Sequence, residues 1–143
     1  MKQQSHPFFS ATGSPLSLQH LVDSLVNDRL QLAKINRTAV VNEIGKAVSL
    51  SKGCESFICL IDEVITTVIA NSNRGDIHIS AERRDKEVIL SIQERNNYNG
   101  YALSFSIGTL MEDAFSIGGM LDIKGPQKKI TTIYLSLPVT AAA

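Results

Sequence analysis

The stretch Phe57-Ile-Cys-Leu-Ile-Asp-Glu-Val-Ile-Thr-Thr-Val-Ile-Ala-Asn71, closed by the polar break Ser72-Asn73-Arg74-Gly75, decides the fold. Its apolar residues Phe57, Ile61, Val64, Ile65 and Val68 follow the i, i+4, i+7, i+8, i+11 series of one helical face. The opposite rim carries Asp62, Glu63, Thr66, Thr67 and Asn71. Thr67 and Asn71 stand one turn apart, so they can address the same ligand or partner. Beyond Gly75, residues 76–80 and 87–92 alternate as strands, and the helix therefore feeds a hairpin. A helix with one apolar face needs a sheet to cover it.

Working outward, residues 76–83 and 87–94 are joined by the charged turn Arg84-Asp85-Lys86. Val88, Leu90 and Ile92 face one way, which puts one face of the sheet on the core and the other toward solvent or a neighbour. Upstream, Leu18, Leu21, Val22, Leu25, Leu32 and Ala33 form another helical stripe, with Ser17 placed to cap it and Asn36 near its end. Residues 37–44 and 47–51 are β-rich and flank Gly45-Lys46, which predicts a hairpin; Lys52-Gly53 then turns into the central helix. Downstream, 95–100 is a polar loop. Leu103, Ile107, Leu110, Met111 and Ala114 restore the helical period until Gly118-Gly119 stops it. Residues 120–123 and 131–139 close the chain as strands around Gly125-Pro126-Gln127. The expected fold is an α+β two-layer sandwich, with three helices packed on one face of a mixed, mostly antiparallel sheet. Residues 1–15 read as a flexible lead-in and 16–143 as the domain.

The chain has 143 residues, 43% of them hydrophobic and 20% charged, with a formal net charge of zero. That is enough for one domain with a real core, and it offers no electrostatic argument for nucleic acid or an anionic membrane. No apolar run reaches a membrane span and no signal peptide is evident, so a cytoplasmic location is expected. Cys54 and Cys59 are read as ordinary buried thiols. His78, between Ile77 and Ile79, is expected at an exposed or interfacial position without a partner for general-base work. As residues alone, Asn71 reads as a helix-end residue and Glu94 as a solvated carboxylate at a strand end.

Three segments carry a resemblance. They are Glu63-Val-Ile-Thr-Thr-Val-Ile-Ala-Asn71, Val88-Ile-Leu-Ser-Ile-Gln-Glu94, and Ile117-Gly-Gly-Met-Leu-Asp-Ile123 with Thr131-Thr-Ile-Tyr-Leu-Ser-Leu-Pro138. In order and spacing the chain resembles the ATP-binding domain of bacterial sensor histidine kinases, the Bergerat or GHKL fold shared with gyrase, heat-shock protein 90 and mismatch-repair ATPases. The resemblance implies that Asn71 falls on the asparagine that helps hold magnesium, and that Thr67 falls on the position of the Asn or activating Glu. It places Glu94 on the adenine-binding aspartate, Ser104 and Ser106 in the second glycine box at the start of the third helix, and Thr131 in the Gly-Thr pair before the last strand.

This sequence departs from the family pattern at several of those places. Glu94-Arg95-Asn96-Asn97-Tyr98 replaces the first glycine box, Thr67 cannot act as a base, and the segment between the boxes is too short for a lid. Two readings follow from the resemblance. One is a degenerate pseudo-kinase module without a cofactor that binds a protein partner of response-regulator, phosphotransfer or anti-sigma type, or a second copy of itself. The other is an active domain that binds Mg-ATP. The losses favour the first.

Overall fold

The computed structural model describes residues 16–50 and 55–138. The expected lead-in over 1–15, the Lys52-Gly53 turn and Cys54 lie outside them.

The first strand, β1 (Leu16–Ser17), leads directly into helix α1 (Leu18–Asp28). Ser17 Oγ accepts from His20 N at 3.3 Å and caps the helix, as its position in the sequence predicts. Leu18, Leu21, Val22 and Leu25, spaced i, i+3, i+4, i+7, are all buried. The helix does not run unbroken to Asn36. It breaks at Arg29, whose N–H bonds back to Val26 O at 3.0 Å, and resumes as α2 (Leu30–Ile35) with Asn36 as its C-cap. Arg37 follows with φ 54°, and the chain enters β2 (Ala39–Asn42).

The Gly45-Lys46 hairpin does not form as expected. β2 runs parallel to β4 (Asp76–Arg84), in register Val40↔Ile77 and Val41↔His78, whereas β3 (Ser49–Leu50) pairs antiparallel with β1. A turn is present, since Val48 N reaches Gly45 O, but its two arms take different distant partners. Local β-propensity reports neither choice.

Helix α3 (Glu55–Ala70) buries Phe57, Ile58, Leu60, Ile61, Val64, Ile65, Val68 and Ile69. β4 and β5 (Glu87–Glu94) form the expected hairpin, with Asp85 at φ 49° in its turn. The third helix is two helices, α4 (Gly100–Gly108) and α5 (Met111–Ser116); Gly118, at φ 87°, ends the second as its spacing predicts. β6 (Met120–Lys124) and β7 (Thr131–Pro138) complete a five-stranded sheet in the order β2-β4-β5-β7-β6, antiparallel except for β2-β4. The fold is thus the expected two-layer α+β sandwich with a mixed, mostly antiparallel sheet. A single core joins Leu21, Ile61, Val64 and Ile107 of the helices to Ile79, Leu90, Ile92, Ile133 and Leu135 of the sheet. No described helix is long and apolar enough to cross a membrane.

Two further expectations change. Cys59 is exposed, because the buried stripe of α3 passes on the other side of the helix. Its pKa is raised by burial of part of the thiol and then by the carboxylates of Glu55, Glu63 and Asp62. His78 has partners on both ring nitrogens, Glu43 Oε2 at 3.0 Å from Nδ1 and Asp76 Oδ1 at 2.9 Å from Nε2. Asp76 is two residues away on the same strand face, and the parallel β2-β4 pairing brings up Glu43.

Candidate functional site

Strand period places the first two site residues. On β5, Val88, Leu90 and Ile92 point into the core, and Glu94 continues that series; on β7, Thr131 begins the inward series Ile133, Leu135, Leu137. Glu94 and Thr131 are direct cross-strand partners and are 2% and 0% exposed. Glu94 is therefore not the solvated carboxylate that its residue type suggests. A buried carboxylate must be hydrogen-bonded, and this one is bonded entirely by its own chain. Its Oε1 accepts from the backbone N–H groups of Asp76 at 2.8 Å and Asn96 at 3.0 Å. Its Oε2 lies 2.5 Å from Ser72 Oγ, which also faces Val68 O at 2.8 Å. Gly75 passes so close that a Cβ there would stand 2.2 Å from Glu94 Oε2. The carboxylate thus ties together the end of α3, the entry to β4 and the loop after β5.

Thr131 is occupied in the same way. Its Oγ1 accepts from Asn97 Nδ2 at 2.6 Å and donates to Gly125 O at 2.9 Å. Asn97 Nδ2 also approaches Pro126 O and Lys128 O, each at 3.1 Å, while Asn97 N donates to Lys129 O at 2.8 Å. Gly100 lies against the same turn, and a Cβ on it would meet Pro126 O at 1.4 Å. Residues 95–99, the whole connection from β5 to α4, are in this way fastened to the β6-β7 turn. Asn97 joins this site through partners that the sequence did not indicate. Its partners lie some thirty positions downstream.

The remaining predicted residues are elsewhere. Asn71 Nδ2 donates to Thr67 O at 2.9 Å, so the side chain caps its own helix. Thr67 lines a separate cavity of about 240 Å³ with Arg29, Asp62, Glu63, Thr66 and Leu110. There Arg29 binds Asp62 through both carboxylate oxygens (3.0 and 2.9 Å) and donates to Thr66 Oγ1 at 2.7 Å, which joins the α1-α2 break to α3. Among the described residues no hydrogen bond links Asn71 or Thr67 to Glu94 or Thr131.

Ser104 and Ser106 do not stand at a helix start. Asn99 caps α4 by accepting from Ala102 N at 3.3 Å, and the helix begins at Gly100. Both serines sit deeper in the helix, where backbone N–H groups serve the helical ladder rather than an anion. Among the described residues no group of three or more His, Cys, Asp or Glu side chains is arranged to hold a metal.

No protein-family model matches the sequence, and no curated protein matches it. Solved structures do. The chain superposes on a histidine kinase from Burkholderia phymatum with a TM-score of 0.72 at 11% identity, over 92% of this chain and 73% of that one. The catalytic domain of histidine kinase ThkA matches with a TM-score of 0.65 at 10% identity, over 89% of this chain and 95% of that domain.

The fold is that of a histidine kinase ATPase domain.

Full-length ShkA, solved with AMPPNP, contains the same Bergerat fold at a TM-score of 0.69 and 8% identity; this chain spans 92% of its own length and 32% of that protein. Within that fold, Glu94 and Thr131 lie at facing strand ends and α3 is the helix whose end approaches them.

Proposed function

We propose that this domain is a pseudo-kinase module of signal transduction, which keeps the histidine kinase ATPase fold and works by recognising a protein. The observation that carries this reading is the internal occupation of the Glu94–Thr131 end of the sheet. Glu94 spends its acceptors on Ser72, Asp76 and Asn96, and Asn97 fills the space before Thr131. A nucleotide base arriving there would have to displace these bonds, and each Glu94 oxygen or partner N–H left unpaired costs roughly 1–3 kcal/mol.

The residues do not fit Mg-ATP in other respects either. Asn71 is turned onto its own helix, Thr67 offers no base, and Ser104 and Ser106 present no free helix N-terminus. In this reading Glu94 and Thr131 are anchors of the fold, and Asn71, Thr67, Ser104 and Ser106 carry no catalytic or metal-binding duty. A partner of the response-regulator, phosphotransfer or anti-sigma class suits a domain of this fold, and ThkA is known in complex with the response regulator TrrA. A cytoplasmic location and a homodimer belong to the same proposal.

Thermal unfolding with and without Mg-ATP tests it. A ligand at a hundredfold excess over its Kd stabilises by about 2.7 kcal/mol, several degrees for a domain of this size. No shift is expected here. A saturable, magnesium-dependent shift would establish the competing reading, an ATP-binding catalytic domain, which the shared fold supports.

A further inference from the structure

We propose that the surface formed by Tyr98, Tyr101 and Phe105 beside Lys128 and Lys129 docks an acidic segment of a partner protein that also presents apolar side chains. The inference rests on the protein-recognition reading above and gives that partner its chemistry. α4 is apolar on two sides. Leu103 and Ile107 are buried, while Tyr101 and Phe105, one turn apart on the outer face, are 76% and 78% exposed; Tyr98, just before the helix, is 61% exposed. A short helix that is apolar on both faces suits one that is covered on both.

The fastening of 95–99 to the β6-β7 turn sets this outer face next to a cation pair. Asn97, Tyr98, Gly100, Tyr101, Lys128 and Lys129 line a shallow cavity of about 380 Å³, and no carboxylate lines it. Neither lysine takes part in an ion pair among the described residues. The chain as a whole has zero net charge, so the positive sign here is local. Aromatic rings flanked by unpaired lysines match an acidic, apolar-faced segment in both respects. A small anion in the cavity would leave Phe105, which lies outside it, still uncovered. The cavity itself offers a nucleic-acid strand two cations, in a chain of zero net charge.

The test is fluorescence anisotropy of the full chain with a labelled helical peptide carrying glutamates on one face and leucine and phenylalanine on the other, alongside a lysine-for-glutamate twin and an oligouridine. The acidic peptide should bind and weaken with added salt. It should lose affinity by about tenfold or more, a change of about 1.4 kcal/mol, in both Lys128→Glu/Lys129→Glu and Tyr101→Ser/Phe105→Ser. Circular dichroism and thermal melts should show both variants folded.

Equal binding of the two peptides, insensitivity to both double substitutions, or preference for oligouridine would overturn the proposal. So would sedimentation showing self-association that the same substitutions abolish while no peptide binds, since the occupant would then be a second copy. The Mg-ATP melt separates the two readings: a nucleotide shift with peptide binding sinks the pseudo-kinase assignment alone, and no shift without peptide binding sinks the docking proposal alone.

Discussion

Glu94 is one carboxylate holding three chain segments, and its loss should be felt in stability. Glu94→Ala strands the N–H groups of Asp76 and Asn96 beside a cavity, while the Ser72 hydroxyl keeps Val68 O as its acceptor. We expect a loss of about 3 kcal/mol, read in urea as a lower midpoint at unchanged m-value; Glu94→Gln, which keeps one acceptor, should lose about half of that. The second residue-scale prediction concerns Cys59. Burial and then Glu55, Glu63 and Asp62 raise its pKa, so at neutral pH the exposed thiol holds less of its thiolate than an ordinary cysteine. In a Cys54→Ser background, alkylation should be slow near pH 7 and should rise to its plateau at a higher pH than in a free thiol model. A plateau reached at the same pH as the model would contradict the raised value. At this scale residue type misled at Glu94, which reads as a solvated carboxylate but follows the inward alternation of Val88, Leu90 and Ile92 into the core. The identity of its donors was not legible, because Ser72 lies twenty-two residues away.

The elements of this fold are joined by a few short-range fixtures. Gly100 is one, since α4 starts where its backbone presses on Pro126 O with no space for a Cβ. Gly100→Ala must therefore move backbone rather than a flexible side chain, and should cost at least about 2 kcal/mol. Faster exchange of the Asn97 amide than in the parent, where it is bonded to Lys129 O, would locate the damage at the loop junction. A fully stable variant with an intact Asn97 amide would show that the contact yields. Arg29 is a second fixture, bridging the α1-α2 break to Asp62 and Thr66. Both groups are partly exposed, so Arg29→Ala should cost only about 1 kcal/mol in denaturant unfolding. The helical periods and the stops at Asn36 and Gly118 could be read along the chain. The breaks at Arg29 and between α4 and α5 could not, because the apolar period continues through each of them.

Across the whole molecule, strand order sets where stability resides. β5 is central in β2-β4-β5-β7-β6 and is hydrogen-bonded along both edges, whereas the β1-β3 ribbon is two residues long on each side. Amides of β5 and of its neighbours β4 and β7 should exchange at the rate of global unfolding, and those of β1-β3 orders of magnitude faster. Uniform protection would contradict this division.

The sequence by itself determined the layers: apolar period 3.6 in the helices and period 2 in the strands each specify one buried face, and burying those faces against one another leaves an α+β sandwich as the solution. It also carried enough order and spacing to point to the histidine kinase ATPase fold. Only the tertiary structure decided that β2 joins β4 rather than β3, that Glu43 and Asp76 flank His78, and that Glu94 and Asn97 are bonded by their own chain. Those are contacts between residues far apart in the chain, and side-chain periodicity records which way a residue faces but not what it meets.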